Sequence, residues 1–434
     1  MPDTNLITSE EQIEYEFVDL LNRENLAENF TKVILSQNAK VYSINAPWGA
    51  GKTYFLKFIE KSCRNHNIPF IQYNIWETDY LDNPLKSILN EFLNLILTLE
   101  CNNYITDEIK ELAQATKKCT SKFIECVRTF GFHFDWIIPT TDGTSSIQMG
   151  ISKAPSENRD EYDKMKSLKE EIKKNLKKII SNIPSNKIVI AIDELDRCRP
   201  DYAIKTLEII KHFFDIDKLV FILAIDKEQL KNTVKVLYGV KANTDCYLKK
   251  FVDIEYLLPK PDINNFIAYL VNDKHANIKN KFNEIKAENF ILWKNRRNNW
   301  VFYNGMQDNY LEEQLLGVLK NYKNLQLRDI EKFLLKLSII MSFFAKNDIL
   351  CLAFLLDLII LNMNYPIIYN FIKEKAPADN YNNYEELKNL NRETFAIIKI
   401  IHSGGPYPDS QIYDCRNRLK EYFNKIDLAE NFRI

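Results

Sequence analysis

The sequence predicts an α/β fold, a mostly parallel sheet with helices on both faces, followed by an all-helical C-terminal region. Three observations carry this. Five short apolar runs, at 40–45, 69–75, 187–192, 219–225 and 251–256, are of strand length. Helical patterns fit between them, as they do where strands are covered on both faces of a parallel sheet. After residues 259–261 apolar residues recur at helical spacing and no convincing strand appears. The change of character sets a boundary there. It gives a first domain over 1–261, with an insertion at about 101–181, and a helical domain over 262–434.

In chain order, residues 13–36 show helical spacing, marked by Phe17, Leu20, Leu21 and Leu26. The first strand run leads at once into a tight loop and a helix reaching Lys61. A second strand, 69–75, precedes an amphipathic helix at 84–100. Polar and apolar residues alternate over 130–151, which predicts a β-ribbon. Residues 157–181 read as a Lys/Glu-rich helix whose charges form either a solvated face or a binding strip. The apolar run 350–361 is broken by Asp357 and is shorter than the ~20 residues a spanning helix needs. It is expected to be a buried helix.

Composition excludes several classes. The 434 residues are 46% hydrophobic and 27% charged, with a net charge of −1, so no global field draws the chain to nucleic acid or an anionic membrane. Eight cysteines without a Cys-x-x-Cys pair suggest neither a zinc site nor a disulfide framework. The acidic first 15 residues lack a signal peptide's apolar stretch. The expectation is a cytoplasmic protein without a transmembrane segment.

The chemistry gathers at two strand ends. Ala46-Pro47-Trp48-Gly49-Ala50-Gly51-Lys52-Thr53 follows the first strand and matches the phosphate-loop pattern Gly-x-x-x-x-Gly-Lys-Ser/Thr, with alanine in place of the first glycine. Such a loop turns its backbone N–H groups inward around phosphates, and the helix after it aims its positive end at them. Lys52 is expected to neutralise the β- and γ-phosphates, and the Thr53 hydroxyl to ligate magnesium. The loop residues Pro47, Trp48, Gly49, Ala50 and Gly51, with Tyr54 on the helix, complete the expected nucleotide contacts. The run 187–192 ends in Asp193 and Glu194. Asp193 is placed to hold magnesium, directly or through water, and Glu194 to polarise the attacking water. Asp196 is the alternative catalytic carboxylate. Asp226, at the end of the 219–225 strand, is placed to sense the γ-phosphate, to cap the next helix, or to do both. ATP and Mg²⁺ are thus the expected ligands.

With these residues in place, the chain resembles the KAP family of P-loop NTPases. Trp48 within the loop, Tyr73-Asn74-Ile75-Trp76-Glu77, and Asp193-Glu194-Leu195-Asp196-Arg197-Cys198 followed by Pro200 are similar to that family's motifs. So are Tyr247-Leu248-Lys249-Lys250 and Leu327-Arg328-Asp329-Ile330. The resemblance implies an ATPase of the additional-strand class with sheet order 5-1-4-3-2. Some members insert transmembrane helices between the two nucleotide motifs, whereas the insertion here is polar. Bacterial members are associated with exclusion of phage, often beside effector proteins. Arg197, Lys250 and Arg328 become candidates for contacting charge on the γ-phosphate. Arg197 has the alternative of an ion pair with Asp196 or Asp201, and Arg328 that of an ordinary surface residue.

Three functions fit. The favoured one is a switch or assembly ATPase acting on a protein partner or on itself, in anti-phage defence. The others are an ATP-dependent scaffold with little hydrolysis and a nucleic-acid sensor or motor. The last rests on Trp293-Lys294-Asn295-Arg296-Arg297-Asn298-Asn299-Trp300, where cations interleave with aromatics. A solvated helix is the competing reading of that segment.

Overall fold

The computed structural model describes residues 18–81, 83–98, 107–129, 132–133, 150–151, 159–183, 185–286, 291–293, 300–302, 310–322, 325–345, 352–373 and 420–432. They fall into two compact units, Arg23–Lys260 and one that joins the residues up to Asn22 with the chain from Pro261 onward.

In the first unit, β1 (Val41–Asn45), β2 (Phe70–Asn74), β3 (Ile188–Asp193), β4 (Leu219–Ile225) and β5 (Ile254–Leu257) form one sheet. Every pairing in it is parallel, and the order is 5-1-4-3-2, as the resemblance implied. β3 and β4 are buried at every position. Because side chains alternate along a strand, this unit has two cores. Ile188, Ile190, Ile192, Phe221 and Leu223 face one with α3 (Pro84–Thr98), α4 (Asp107–Thr129), α5 (Arg159–Asn182) and α6 (Pro200–Phe213). Val189, Ala191, Val220 and Ile222 face the other with α1 (Glu24–Ser36) and α2 (Lys52–Asn65). Strands buried on both sides need apolar residues at each position, which is why these two read as unbroken runs.

The expected insertion contains α4, which the sequence reading did not anticipate, and α5, which it did. They pack against each other. Ile109, Ala113, Thr116, Thr120 and Phe123 are buried on α4, and Met165, Leu168, Ile172, Leu176 and Ile179 on α5. Steps of three and four residues make a seam of this kind. On α4 the seam uses alanine and threonines, whose hydroxyls bond backbone carbonyls one turn back, so its apolar signal is weak. Of the ribbon expected over 130–151, Phe132–His133 pairs antiparallel with Gly150–Ile151, and the rest lies outside the described residues.

The second unit has one core, formed by α9 (Asn264–Tyr269), α10 (Ala276–Lys286), α11 (Tyr310–Asn321), α12 (Leu327–Ser342), α13 (Leu352–Asn364) and α14 (Pro366–Lys373) with the helix that includes Tyr422 and Phe423. α13 is the expected buried helix; its Asp357 is buried and accepts a bond from the Tyr322 hydroxyl at 3.3 Å. The absence of strands does not hold. Ile291–Trp293 pairs antiparallel with Trp300–Phe302, and β-branched and aromatic residues favour that pairing over helix. Trp293 and Trp300 are cross-strand partners; the basic residues between them lie outside the described residues. No helix among the described residues is long and apolar enough to cross a membrane.

Helices α6, α7 (Lys227–Tyr238) and α8 (Thr244–Leu248) meet at a buried carboxyl. Glu208 of α6 accepts a bond from the Tyr247 hydroxyl at 3.2 Å, and the Tyr238 hydroxyl lies 3.3 Å from that of Tyr247. Burial pushes the Glu208 carboxyl up to about 9, the bond from Tyr247 opposing only part of that rise. Glu208 is therefore neutral in the folded chain near pH 7 but ionised when unfolded. The folded state binds the extra proton, so this group's contribution to stability falls as pH rises from the usual carboxyl range to about 9. Glu208→Gln keeps the shape and removes the titration. Its stability relative to the natural chain is expected to rise as pH goes from 5 to 9, by at most ~1.4 kcal/mol per pH unit. Denaturant unfolding at both pH values checks this; an unchanged difference would show that Glu208 stays ionised.

Candidate nucleotide-binding site

The site is built at the C-terminal edge of the sheet. β1 delivers Ala46, which is buried, has negative φ and donates its N–H to the Ile225 carbonyl at 3.2 Å. Alanine replaces glycine there without strain. Gly49 and Gly51 have φ of 78° and 80°, a region L side chains rarely adopt. Lys52, only 8% exposed, folds back so that its Nζ donates to the Ala46 carbonyl at 2.7 Å and the Pro47 carbonyl at 3.2 Å. Burial pulls its proton affinity below the ordinary lysine value, and the charges of Asp196, Asp226 and Asp193 oppose that pull. The loop is braced from below. Arg23, 1% exposed, donates from Nη1 to the Gly51 carbonyl at 2.8 Å and from Nη2 to the Pro259 carbonyl at 3.3 Å.

Asp193, 3% exposed, ends β3. Its Oδ2 accepts the Thr53 hydroxyl at 2.6 Å, and its Oδ1 accepts the Glu194 N–H at 2.9 Å. Burial raises its carboxyl, and these two bonds hold the rise back. One carboxylate and one hydroxyl that already share a proton fit magnesium, which takes few protein ligands and keeps waters and phosphate oxygens for the rest. Glu194 has φ 61°, a left-handed conformation that costs a non-glycine residue ~1–3 kcal/mol and clusters at functional turns. Its Oε1 forms an ion pair with Arg197 Nη1 at 3.1 Å. The ion pair expected with Asp196 or Asp201 is not the one formed. Asp196 instead accepts the indole N–H of Trp48, and Asp201 pairs with Lys205.

Asp226 does cap a helix: Oδ1 accepts the N–H groups of Glu228 at 3.1 Å and Gln229 at 3.4 Å, at the start of α7. It still acts electrostatically on Lys52, so the two expected roles are not exclusive. Tyr54 packs edge-on against Phe58 at 5.1 Å. Lys250 is exposed in the turn after α8, and Arg328 is exposed on the first turn of α12, in the other unit. Arg23, Trp76 and Asn45 had no assigned place. Asn45 accepts the Lys227 N–H at 3.1 Å and donates to Glu255 at 2.8 Å, tying β1 to α7 and β5. Each acts across tens to hundreds of residues of chain, and no local spacing announces such a contact.

The comparisons with known proteins agree with this geometry. A family profile described as "KAP family P-loop domain" matches residues 23–344. A curated relative, the phage T7 exclusion protein of Escherichia coli (strain K12), is 20% identical over 263 residues, which is 55% of this chain and 33% of that protein. The chain thus spans about a third of that relative's length in the match.

The bracing by Arg23 is testable. Arg23→Ala removes two bonds from a buried charged donor to backbone carbonyls, at ~1.5–3 kcal/mol each. A fall of several degrees in the thermal midpoint of Arg23–Lys260 unfolding is expected, and Arg23→Lys, whose ammonium lacks the fork to reach both carbonyls, recovers only part of it.

Proposed function

The chain belongs to the KAP family of P-loop domains, and from that membership and the site geometry we propose that it binds ATP with magnesium and hydrolyses it. The observation that carries this reading is the 2.6 Å bond between Thr53 and Asp193. It brings a hydroxyl from the first turn of α2 and a strand-end carboxylate, 140 residues apart, to the one place where both can serve a single cation. Thr53 and Asp193 would hold magnesium, which would supply positive charge to offset charge developing on the phosphates.

The chain's own residues do the rest. The amides of the loop at Gly49 to Gly51 cradle the phosphates. Lys52 leaves the Ala46 and Pro47 carbonyls for phosphate oxygens, where an ammonium forms stronger, charge-assisted bonds. Glu194 orients a water and takes its proton as the water oxygen attacks the γ-phosphorus. The bond from that phosphorus to the bridging oxygen breaks, and ADP leaves with the oxygen. Arg197 offsets charge on the γ-phosphate. The relative's name supports a further step: nucleotide turnover drives a protein partner or self-assembly in exclusion of phage.

Two substitutions test the reading. Lys52→Ala is expected to weaken triphosphate binding by ~10-fold or more, since one bond to a charged group is worth ~1.5–3 kcal/mol; calorimetry with MgATP measures it, and wild-type affinity in a folded variant would refute the site. Glu194→Gln is expected to keep that affinity while turnover drops by roughly 10²–10⁴-fold, the usual loss with a general base. Phosphate release under saturating ATP reads it directly. Survival of turnover in Glu194→Gln and its collapse in Asp196→Asn would exchange the roles of the two carboxylates.

A further inference from the structure

Next to the phosphate loop two indoles stand in solvent, Trp48 at 42% exposure and Trp76 at 47%. The Arg197 guanidinium lies near both rings, 5.8 Å from the centroid of Trp48 and 5.6 Å from that of Trp76. Its Nη1 meanwhile forms an ion pair with Glu194. The parts come from three different strand ends. Trp48 belongs to the loop after β1, Trp76 to the 3-10 turn Ile75–Leu81 after β2, and Glu194 and Arg197 to the turn after β3.

The Trp48 indole and the Trp76 backbone are held. Trp48 donates to Asp196. The backbone N–H of Trp76 donates to Asn74 Oδ1 at 3.3 Å, and Asp79 of the same turn accepts the Arg199 N–H at 3.2 Å. A planar guanidinium suits aromatic faces better than an ammonium does, because it stacks while its edge still donates hydrogen bonds. An exposed tryptophan that packs no core, fixed beside an arginine that touches the proposed catalytic carboxylate, has a positioning task as its simplest use. The carboxylate oxygen paired with Arg197 is also less available to orient a water. Arg197 is near enough to Lys52 to act on its charge, so phosphates neutralised by Lys52 lie within the guanidinium's field.

Resting on the nucleotide site proposed above, we infer that Trp48 and Trp76 form a slot that keeps Arg197 on Glu194 until a γ-phosphate draws the guanidinium away, and that Trp76 is a positioning residue for hydrolysis. A phosphate competes well for the arginine because it offers paired oxygens and more charge than one carboxylate. The exchange is selective for the triphosphate, since a ligand shifts an equilibrium only by its different affinity for the two arrangements. Glu194 is then released to a water only when there is a γ-phosphate to attack.

Two measurements test the slot. In steady-state turnover, Trp76→Leu is expected to lower kcat by ~10-fold or more while the KM for MgATP stays within about 3-fold, the signature of lost positioning rather than lost binding. Trp76→Phe, which keeps a flat ring, restores most of kcat. In fluorescence, the difference between the natural chain and Trp76→Phe isolates the emission of Trp76. Magnesium with β,γ-imido-ATP is expected to shift that emission, and magnesium with ADP is not. Wild-type kcat in Trp76→Leu, or equal shifts with the two nucleotides, would overturn the inference while leaving the ATP site standing. If calorimetry finds that the natural chain binds neither nucleotide, the site reading and the slot fall together.

Discussion

The register of the parallel sheet is the constraint on which the site depends. Asn45 of β1 pairs with Ile225 of β4, Asp193 of β3 with Ala224, and Asn74 of β2 with Asp193. Four strands therefore end level to within one residue, and the turn that follows each begins from the same edge. The phosphate loop, the turn with Trp76, the carboxylate pair and Asp226 all leave from that edge. Side-chain direction alternates along a strand, so a slip of one residue would turn Asp193 to the opposite face. Continuous burial on both faces of β3 and β4 makes such a slip costly, because it would move one core's side chains into the other.

That edge gathers charge that water would otherwise solvate. Lys52, Asp193 and Asp196 are all buried. A lone buried ion is expensive, so these charges persist by compensating one another. The opposite displacements of Lys52 and Asp193, each driven by burial and each opposed by its neighbours, express the same balance from two sides. The left-handed Glu194 adds local strain to a turn whose next residue, Leu195, is fully buried. The core beneath holds the turn in a conformation it would not choose alone, and triphosphate with magnesium would add the opposite charges this cluster is arranged to receive.

Away from the edge the chain is conservative. The α4–α5 pair extends one of the two sheet cores with a seam of three- and four-residue steps and leaves its lysines and glutamates to solvent. Glu208, neutral inside the helices that follow β3 and β4, ties the Tyr247 of the Tyr-Leu-x-Lys segment into packing. That tyrosine thus has a structural reason of its own, distinct from any role for Lys250.

The sequence by itself determined the parallel sheet, the strand run into the loop, the two carboxylates after β3 and the buried helix α13. Each is written in a local pattern: unbroken apolar runs, two glycines where φ must be positive, and a lysine-threonine pair opening a helix. It left α4 hidden, because a seam of alanine and threonines carries little apolar contrast, and it missed the pairing of Ile291–Trp293 with Trp300–Phe302, because three-residue strands are shorter than any periodicity can resolve. Only the tertiary structure decided that Arg197 rests on Glu194 between Trp48 and Trp76, that Trp48 rather than Arg197 takes Asp196, and that Arg23 braces Gly51. Those choices depend on which strand ends lie side by side, and adjacency across a sheet is a property of the whole fold.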